Sequence, residues 1–249
     1  MANERLRDTF AARGLDPGAV GDRLGVDPKT VQRWVSQSRI PYPRYRAQLA
    51  ALLKESESWL WPESLSPDRI EQASRSEVVA VHPRRASISG DDWLRLFSSA
   101  TTFVDVLVYA GLFLPEQTPT IVELLKDKAA KGTRVRFLLG QPESAAVALR
   151  GEEEGIGGQA VATKVRNSLQ LLRRPLQKAP GVQVRLHSST LYTSIYRSDD
   201  TMIANTHVLG LPAAQAPAIH LRRLSAGGLF DTYAAMYDRV WDEAEPAWP

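Results

Sequence analysis

The sequence predicts a chain of two parts, an all-α N-terminal part and a mixed α/β C-terminal part. Over residues 1–64, apolar residues recur at helical spacing. Over residues 78–249, short runs rich in valine and leucine alternate with amphipathic stretches, which is the pattern of strands and helices. Residues 65–77 between them are polar and lack periodicity over much of their length, which indicates a linker.

The N-terminal part is predicted to hold a series of short helices. In NERLRDTFAARG, Leu6 and Phe10 lie at helical spacing and Gly14 closes the segment. A short helix in GAVGDRLG is followed by a turn and by DPKTVQRWVSQ, where Asp27 is placed to cap a helix and Pro28 suits its first position. PRYRAQLAALLKE predicts one more amphipathic helix.

The C-terminal part is predicted to alternate strands with helices. The predicted strands are FVDVLVYA, VRFLLG, VQVRLH, the two arms around Asp199 and Asp200, and AIHLRRL. The predicted helices are DDWLRLFSSA, PTIVELLKDKAAKG, QAVATKVRNSLQLL and FDTYAAMYDRVWDEA. The order of the first strand, the second helix and the next strand predicts a βαβ unit. GEEEGIGG is predicted to be a solvated loop, or alternatively a lid over a pocket.

Composition narrows the classes of function. The chain has no cysteine, which excludes disulfides and thiolate metal sites. Its four histidines have no close carboxylate at a metal-ligand spacing, so we expect neither a metal site nor a cofactor. The N-terminus MANERLRDTF lacks the apolar core of a signal peptide, and Asp105 interrupts the longest apolar run. We therefore expect a cytoplasmic protein without a membrane span.

The segment DPGAVGDRLGVDPKTVQRWVSQSRIP resembles the helix-turn-helix of the phage-repressor-like (Xre-type) regulators. The residues that carry the resemblance are Val20, Leu24, Gly25, Val26, Val31 and Trp34. The resemblance covers about the first 65 residues. It implies a helical bundle whose second motif helix enters the major groove of double-stranded DNA.

The charges of this region favour DNA binding independently. Between Pro28 and Leu53 every charged residue is basic, which suits contact with phosphates. The predicted DNA-contacting residues are Lys29, Thr30, Gln32, Arg33, Arg39, Arg44 and Arg46. The first four are expected on the exposed side of the recognition helix, where glutamine and basic side chains read base edges, and the last three are expected at phosphates. The alternative is a solvated surface used for protein contact.

The segment LYTSIYRSDDTMIANTH resembles the signature of the phospholipase D superfamily, which reads H-x-K, four residues, D, then six residues on to G-S-x-N. Tyr192 stands at the histidine position, Ser194 at the lysine position, and Asp199 keeps the aspartate. Asn205 to Val208 falls where G-S-x-N stands in the family. The resemblance extends over roughly residues 78–244 and implies a phospholipase-D-like α/β fold.

The departures from the signature remove the residues that carry the family's chemistry. In that superfamily a histidine attacks phosphorus, a second acts as general acid, and lysine and asparagine stabilise the phosphate. A tyrosine phenol with a pKa of about 10 is a poor nucleophile at neutral pH, and Ser194 carries no charge. We expect no catalytic residue. We expect a pocket for a small polar ligand, lined by Tyr192, Ser194, Asp199, Asn205 and His207.

Plainer interpretations of the same residues stay open. Asp199 and Asp200 suit a simple turn between strands, and His207 suits a structural hydrogen bond. The leading prediction is a DNA-binding transcription regulator whose C-terminal part senses a small polar ligand, dimerises, or does both. The alternatives are a phosphodiesterase or nuclease targeted to DNA, and a repressor whose C-terminal part serves only assembly. The single signature-like segment predicts a two-fold homodimer held by residues 78–249.

Overall fold

The chain folds as a mixed helix-and-sheet protein. The computed structural model describes residues 3–55, 57–61, 77–117, 120–224 and 226–248. It divides into two compact units, of which the first is Met1–Glu77 with Arg223–Asp231 and the second is Val78–Arg222 with Thr232–Pro249. The predicted linker, residues 65–77, lies outside the described residues except for Glu77.

The described residues between 3 and 61, which belong to the first unit, fold into short helices. They are α1 (Glu4–Ala12), α2 (Pro17–Leu24), α3 (Pro28–Ser36), α4 (Pro43–Leu53) and α5 (Glu57–Leu60). Side chains cap the starts of the first three. The side-chain oxygen of Asn3 accepts from the Leu6 amide at 2.9 Å, that of Asp16 from Ala19 at 2.8 Å, and that of Asp27 from Lys29 at 2.7 Å. The cap predicted at Asp27 is therefore present.

A tight turn brings α2 and α3 together. Gly25 ends α2 in the left-handed conformation, with φ of 65°. A Cβ atom on Gly21 would lie 2.7 Å from the carbonyl oxygen of Val26, so only glycine fits where α2 meets this turn. Val20, Val31 and Trp34 are then buried in the apolar core of the helices. The fixed geometry of α2 and α3 leaves the other side of α3 exposed.

The second unit is built on one eight-stranded sheet. Its strands are β1 (Val78–His82), β2 (Phe103–Leu107), β3 (Arg134–Gly140), β4 (Val182–His187), β5 (Thr193–Ser198), β6 (Thr201–Thr206), β7 (Ala218–Arg222) and β8 (Glu245–Pro246). Their order in the sheet is β1-β7-β6-β5-β2-β3-β4-β8. The three central strands β2, β3 and β4 are parallel, and the remaining neighbours are antiparallel.

Helices connect the parallel strands. The helices of the remaining chain are α6 (Gly90–Ser98), α7 (Phe113–Gln117), α8 (Thr120–Ala130), α9 (Ala145–Glu153), α10 (Gly158–Leu176) and α11 (Leu229–Glu243). A short 3₁₀ helix spans Arg85–Ser87. The β2–α8–β3 succession is the βαβ unit that the sequence predicts. Sequence reasoning missed β1, β8, α7 and α9.

The segment GEEEGIGG is not a loop along its whole length, which corrects that expectation. Its first residues complete α9, and a Cβ atom on Gly151 would lie 2.3 Å from the carbonyl oxygen of Gly157, so the chain turns back tightly on itself. Glu153 and Glu154 bind the buried guanidinium of Arg150, at 3.3 and 2.9 Å. The acidic run is therefore held in place because it neutralises a buried charge.

A buried ion cluster crosses the centre of the sheet. Asp105 on β2 is fully buried and lies in register with Arg136 on β3 and with Arg197 on β5. Its carboxylate accepts hydrogen bonds from Arg136 Nε at 2.7 Å and from Arg197 Nη2 at 2.5 Å. Asp105 interrupts the longest apolar run of the sequence because it holds three neighbouring strands together.

No helix in the described ranges has both the length and the apolar character that crossing a membrane requires.

Candidate functional site

One candidate site is a basic surface on α3 and the loop that follows it. Lys29, Gln32 and Arg33 project from α3 with exposed side chains, while Thr30 is half-buried. Arg39 is exposed in the loop after the helix. Lys29, Arg33 and Arg39 form no ion pair with any other residue that the structure describes. Their charges are therefore available to an anionic partner.

Two of the predicted phosphate-contacting arginines are engaged within the unit. Arg46 has a side chain that is 18% exposed, and it pairs with Glu57 at 3.2 Å. Arg44 lies over the ring of Tyr45 at 4.4 Å and donates to the hydroxyl group of that residue. The structure thus separates Arg44 and Arg46, which already have partners, from Lys29, Arg33 and Arg39.

A groove of about 550 Å³ runs beside α3. Arg33 and Arg39 line it together with the exposed apolar side chains of Ile40 and Tyr42. The Tyr42 side chain is 79% exposed. An exposed aromatic ring and two guanidinium groups without an ion pair line the same groove, which suits a ligand that offers both phosphates and flat or apolar groups.

The other candidate site is a pocket of about 230 Å³ in the second unit. Residues 108–113, which leave the carboxyl end of β2, form one wall. Ser194 and Tyr196 on β5, His207 just after β6, and Arg85 on the 3₁₀ helix reach it from other sides. The lining is mainly apolar and aromatic, with a small number of polar groups, which is the usual character of a small-molecule site.

Ser194 and His207 form a hydrogen-bonded pair in this pocket. The Ser194 Oγ lies 2.9 Å from His207 Nε2, and His207 Nδ1 lies 3.0 Å from the carbonyl oxygen of Leu191. Because a carbonyl only accepts, Nδ1 carries the proton and Nε2 accepts from the Ser194 hydroxyl. Burial, and then the positive charge of Arg150, lower the pKa of His207 to about 4. The imidazole is therefore neutral at neutral pH.

Arg85 brings an unbalanced charge to the pocket. The residue is only 8% exposed, and its guanidinium lies 3.7 Å above the ring of Phe113. Its buried Nε has no hydrogen-bond partner, and no described carboxylate pairs with it. A buried charge of this kind is costly unless something neutralises it.

The structure does not gather the five predicted ligand-binding residues into one cavity, which corrects that expectation. Ser194 and His207 line the pocket. Tyr192 is 75% exposed, because it lies before β5, whose residues are all buried from Thr193 onward. Asn205 is fully buried, and its amide donates to the carbonyl oxygen of Pro217 at 2.9 Å, which ties β6 to the chain before β7.

Asp199 has a structural position at the far end of β5. It occupies the β5–β6 turn with φ of 46°, as the plainer interpretation of the Asp pair predicts. Its carboxylate accepts from the amides of Thr101, Thr102 and Phe103 at 2.7 to 3.0 Å, and from the Thr101 hydroxyl at 2.8 Å. Burial alone would raise its pKa, but the hydrogen bonds from these three residues outweigh burial and lower it.

Sequence reasoning missed most of the pocket. Arg85, Tyr109, Phe113 and Arg150 all line it. Arg85 follows β1 and Phe113 begins α7, and neither element is predicted from the sequence. Arg150 carried a detectable signal, because a lone arginine precedes three consecutive glutamates at helical spacing. Among the residues that the structure describes, no group of three or more histidine, aspartate or glutamate side chains is placed to hold a metal ion.

No protein-family model and no curated protein matches the chain. Solved structures are similar to it at low identity, and two of them are described by what they bind or by their family. The structure of TrmBL2, described as an archaeal chromatin protein with a novel mode of DNA binding, has a TM-score of 0.42 and 10% identity, covering 82% of this chain and 62% of that chain. Nuc from Salmonella typhimurium, described as a phospholipase D family member, has a TM-score of 0.40 and 14% identity, covering 68% of this chain and 99% of that chain. At these scores and identities no role is transferred from either protein.

Proposed function

We propose that the protein is a DNA-binding transcription regulator in which α2 and α3 form a helix-turn-helix of the Xre type and α3 is the recognition helix. The observation that carries the proposal is the basic surface of α3 and its following loop. Lys29, Arg33 and Arg39 are exposed there and form no ion pair within the described part of the chain. Unpaired cations on one helix face provide the electrostatic footprint of a DNA-binding protein.

The roles of the side chains follow from their positions. Lys29, Gln32 and Arg33 lie on the exposed face of α3 and are assigned to base edges, with Arg33 able to make a bidentate contact to guanine. Arg39 is assigned to a phosphate. Arg46 is given a smaller share of phosphate binding than the sequence suggests, because Glu57 already holds it at 3.2 Å.

The test begins with selection of binding sequences from a random duplex pool by the full chain. On the selected sequence, Arg33→Ala is expected to lose about 1–3 kcal/mol of binding free energy and Arg39→Ala to reduce the salt slope by about one. Arg7→Ala is the matched control, because Arg7 is an exposed arginine on α1 that is paired with Glu4 and Asp8. Equal affinities for Arg33→Ala and the unmodified protein would contradict the assignment.

The second unit is proposed to sense a small ligand through the pocket that contains Ser194 and His207. Support comes from the cavity of about 230 Å³ and from its few, convergent polar groups. Native mass spectrometry of the purified protein is expected to show an added mass that denaturation releases. Removal of that molecule is expected to change the affinity for the selected DNA, since a ligand shifts an equilibrium only through differential affinity for two states. An unchanged DNA affinity would reduce the second unit to an assembly module.

A hydrolase is the alternative function, and the Ser194–His207 pair is the observation that favours it. The distance of 2.9 Å is right for a nucleophile and its general base. The pKa of about 4 argues against catalysis, because a general base works best with a pKa near the operating pH. We therefore assign the pair to ligand binding. Turnover of bis(p-nitrophenyl) phosphate that disappears in Ser194→Ala would reverse this assignment.

A two-fold homodimer held by the second unit completes the proposal. Support comes from exposed apolar side chains beside the pocket, with Tyr192 75% and Leu209 79% exposed. The chain that leads to Leu209 is joined to Tyr192, because the amide of His207 donates to the carbonyl oxygen of Tyr192 at 2.8 Å. Exposed apolar surface of this kind marks contact with a partner. Light scattering is expected to give a dimer mass for the unmodified protein and a monomer mass for Leu209→Asp. A monomer mass for both would contradict it.

A further inference from the structure

Four arginines are more than nine-tenths buried among the residues that the structure describes. They are Arg85, Arg136, Arg150 and Arg197. Arg136 and Arg197 share the carboxylate of Asp105. Arg150 has carboxylate partners of its own in α9 and its cap, and Arg85 has none within the described chain. A buried guanidinium without a counter-charge is exceptional, because such charges are normally paired.

The fold holds the guanidinium of Arg85 at the pocket. Its backbone amide donates to the carbonyl oxygen of Ala216 at 2.9 Å, which anchors the 3₁₀ helix. The guanidinium lies over the ring of Phe113, with its central carbon 3.7 Å from the ring centre, and both residues line the cavity. Stacking on an aromatic ring holds the plane of a guanidinium while leaving its N–H groups free to bind an acid. The charge is thus positioned before any ligand arrives.

The other charges of the lining cancel locally. Arg150 is neutralised by Glu154, which also lines the cavity. Lys164 and Glu116 have opposite signs and are both exposed to solvent. Among the described residues of the lining, the single buried charge that remains without a partner is that of Arg85. The rest of the wall, including Val108, is apolar or aromatic, apart from the uncharged pair of Ser194 and His207.

We infer that the pocket binds a small organic monoanion, a monocarboxylate with an apolar or aromatic body, whose carboxylate pairs with Arg85. A planar carboxylate matches the fork of a guanidinium in a bidentate pair. One negative charge balances Arg85, whereas the second charge of a phosphate monoester would be left without a partner in the cavity. The volume of about 230 Å³ restricts the body to a few carbon atoms or one aromatic ring. The inference rests on the proposed ligand-sensing role of this pocket and names its ligand class.

Isothermal titration of the full chain tests the inference with matched probes. The probes are butyrate and benzoate, their neutral amides butyramide and benzamide, and phenyl phosphate. At least one carboxylate is expected to bind about ten- to a hundredfold more tightly than its amide, since hydrogen bonds to charged groups are the strong ones. Equal binding of acid and amide, or no binding by any carboxylate, would overturn the inference. Tighter binding of phenyl phosphate than of benzoate would assign the site to phosphate esters instead.

Single substitutions test whether Arg85 supplies the positive charge that binds the carboxylate. Arg85→Gln is expected to abolish the preference for the acid over the amide, and Arg85→Lys is expected to retain part of it. Arg166→Gln, which changes an exposed arginine paired with Glu143, is expected to leave the preference unchanged. Because the acid-to-amide ratio of the unmodified protein needs no variant, the inference stays testable even if Arg85→Gln fails to fold. A folded Arg85→Gln variant that still prefers the acid over the amide would contradict the inference.

Titration with and without the selected DNA separates this inference from the regulatory proposal. Acid-selective binding that leaves the DNA affinity unchanged supports the ligand class and contradicts ligand control. A DNA affinity that changes on removal of the co-purified molecule, together with probes that bind equally as acid and amide, supports ligand control and contradicts the ligand class.

Discussion

Buried arginines occupy two regions of the second unit, and the regions treat their charge in opposite ways. At the centre of the sheet, Arg136 and Arg197 converge on Asp105, with distances of 2.7 and 2.5 Å. In the pocket, Arg85 is buried to a similar degree and has no carboxylate partner among the described residues. Burial of a charge therefore does not identify a functional site. The missing counter-charge distinguishes the pocket from the structural cluster.

In both regions the guanidinium groups of the buried arginines lie over aromatic rings. Arg136 lies 4.9 Å from the ring centre of Tyr237 and Arg197 lies 4.6 Å from that of Phe103, as Arg85 lies over Phe113. Near the cluster, burial and the negative charge of Asp105 raise the pKa of Tyr237 well above 10. Aromatic stacking is thus common to both regions and supports a guanidinium without neutralising it.

The largest loss of stability is expected when the ion cluster loses the carboxylate of Asp105, because a buried arginine there then lacks its counter-charge, as Arg85 does in the pocket. Asp105→Ala leaves the buried guanidinium of Arg197 without its carboxylate and that of Arg136 with the half-exposed Asp238 alone, and the expected loss is about 3–5 kcal/mol in the free energy of unfolding. Asp238→Ala is the control, because Asp238 is 55% exposed and bonds Arg136 at 3.2 Å. That variant is expected to lose less than about 1 kcal/mol. Urea denaturation followed by tryptophan fluorescence measures both, and equal losses would remove the special role of Asp105.

Acid is expected to destabilise the pocket through His207. Its pKa is about 4 in the folded chain and 6.5 ordinarily, so the unfolded chain binds more protons between these values. The stabilisation is complete above pH 6.5 and is lost as the pH falls toward 4. Each pKa unit corresponds to about 1.4 kcal/mol, which gives a loss of about 2–3 kcal/mol between pH 7.5 and 4.5.

His207→Gln separates this contribution from those of the other histidines. Burial also lowers the pKa values of His187 and His220, so these two residues give a slope of the same sign. Denaturation at the two pH values is expected to show a smaller loss in His207→Gln than in the unmodified protein. An identical loss in both proteins would show that His207 is protonated as readily in the folded chain as in the unfolded one.

Asp199 represents a third way to balance a charge, by hydrogen bonds from backbone amides and one hydroxyl group. Asp199→Asn retains a residue that tolerates the positive φ of 46° but removes the charge that three amides and one hydroxyl bind. A loss of about 2 kcal/mol is expected from the weakened hydrogen bonds. Asp200→Asn, at the adjacent turn position, provides the control in thermal unfolding. Equal losses of stability in the two variants would mean that Asp199 contributes only as a turn residue and not through the hydrogen bonds to its charge.

The sequence predicts the cluster's region better than it predicts the pocket. The strands β2 to β7 follow from local patterns of alternating or continuous apolar residues, and so does the turn at Asp199. Asp105, Arg136 and Arg197 meet because of strand register, which is a long-range property. The pocket draws Arg85, Phe113 and His207 from distant elements, two of which have no strong local pattern. Local periodicity therefore finds the scaffold, whereas tertiary contacts decide which polar residues share a site.

The smallest stability effect is expected at Arg85, and its direction is informative. Arg85→Met removes a buried charge that has no partner and fills the space with an apolar side chain, which favours the folded chain. It also removes the stacking on Phe113 at 3.7 Å, which contributes about 0.5–2 kcal/mol in the opposite direction. The two terms nearly cancel, so the ligand-free protein is expected to change by less than about 1 kcal/mol.

Arg197→Met is the matched substitution in the cluster, because Arg197 is also more than nine-tenths buried and also lies over an aromatic ring. It leaves the fully buried Asp105 with Arg136 as the remaining guanidinium partner, and a loss of several kcal/mol is expected. Thermal unfolding of both variants, freed of co-purified small molecules, measures the difference. If Arg85→Met were as destabilising as Arg197→Met, Arg85 would be a structural charge with a partner in the folded chain, and the distinction between the two regions would fail.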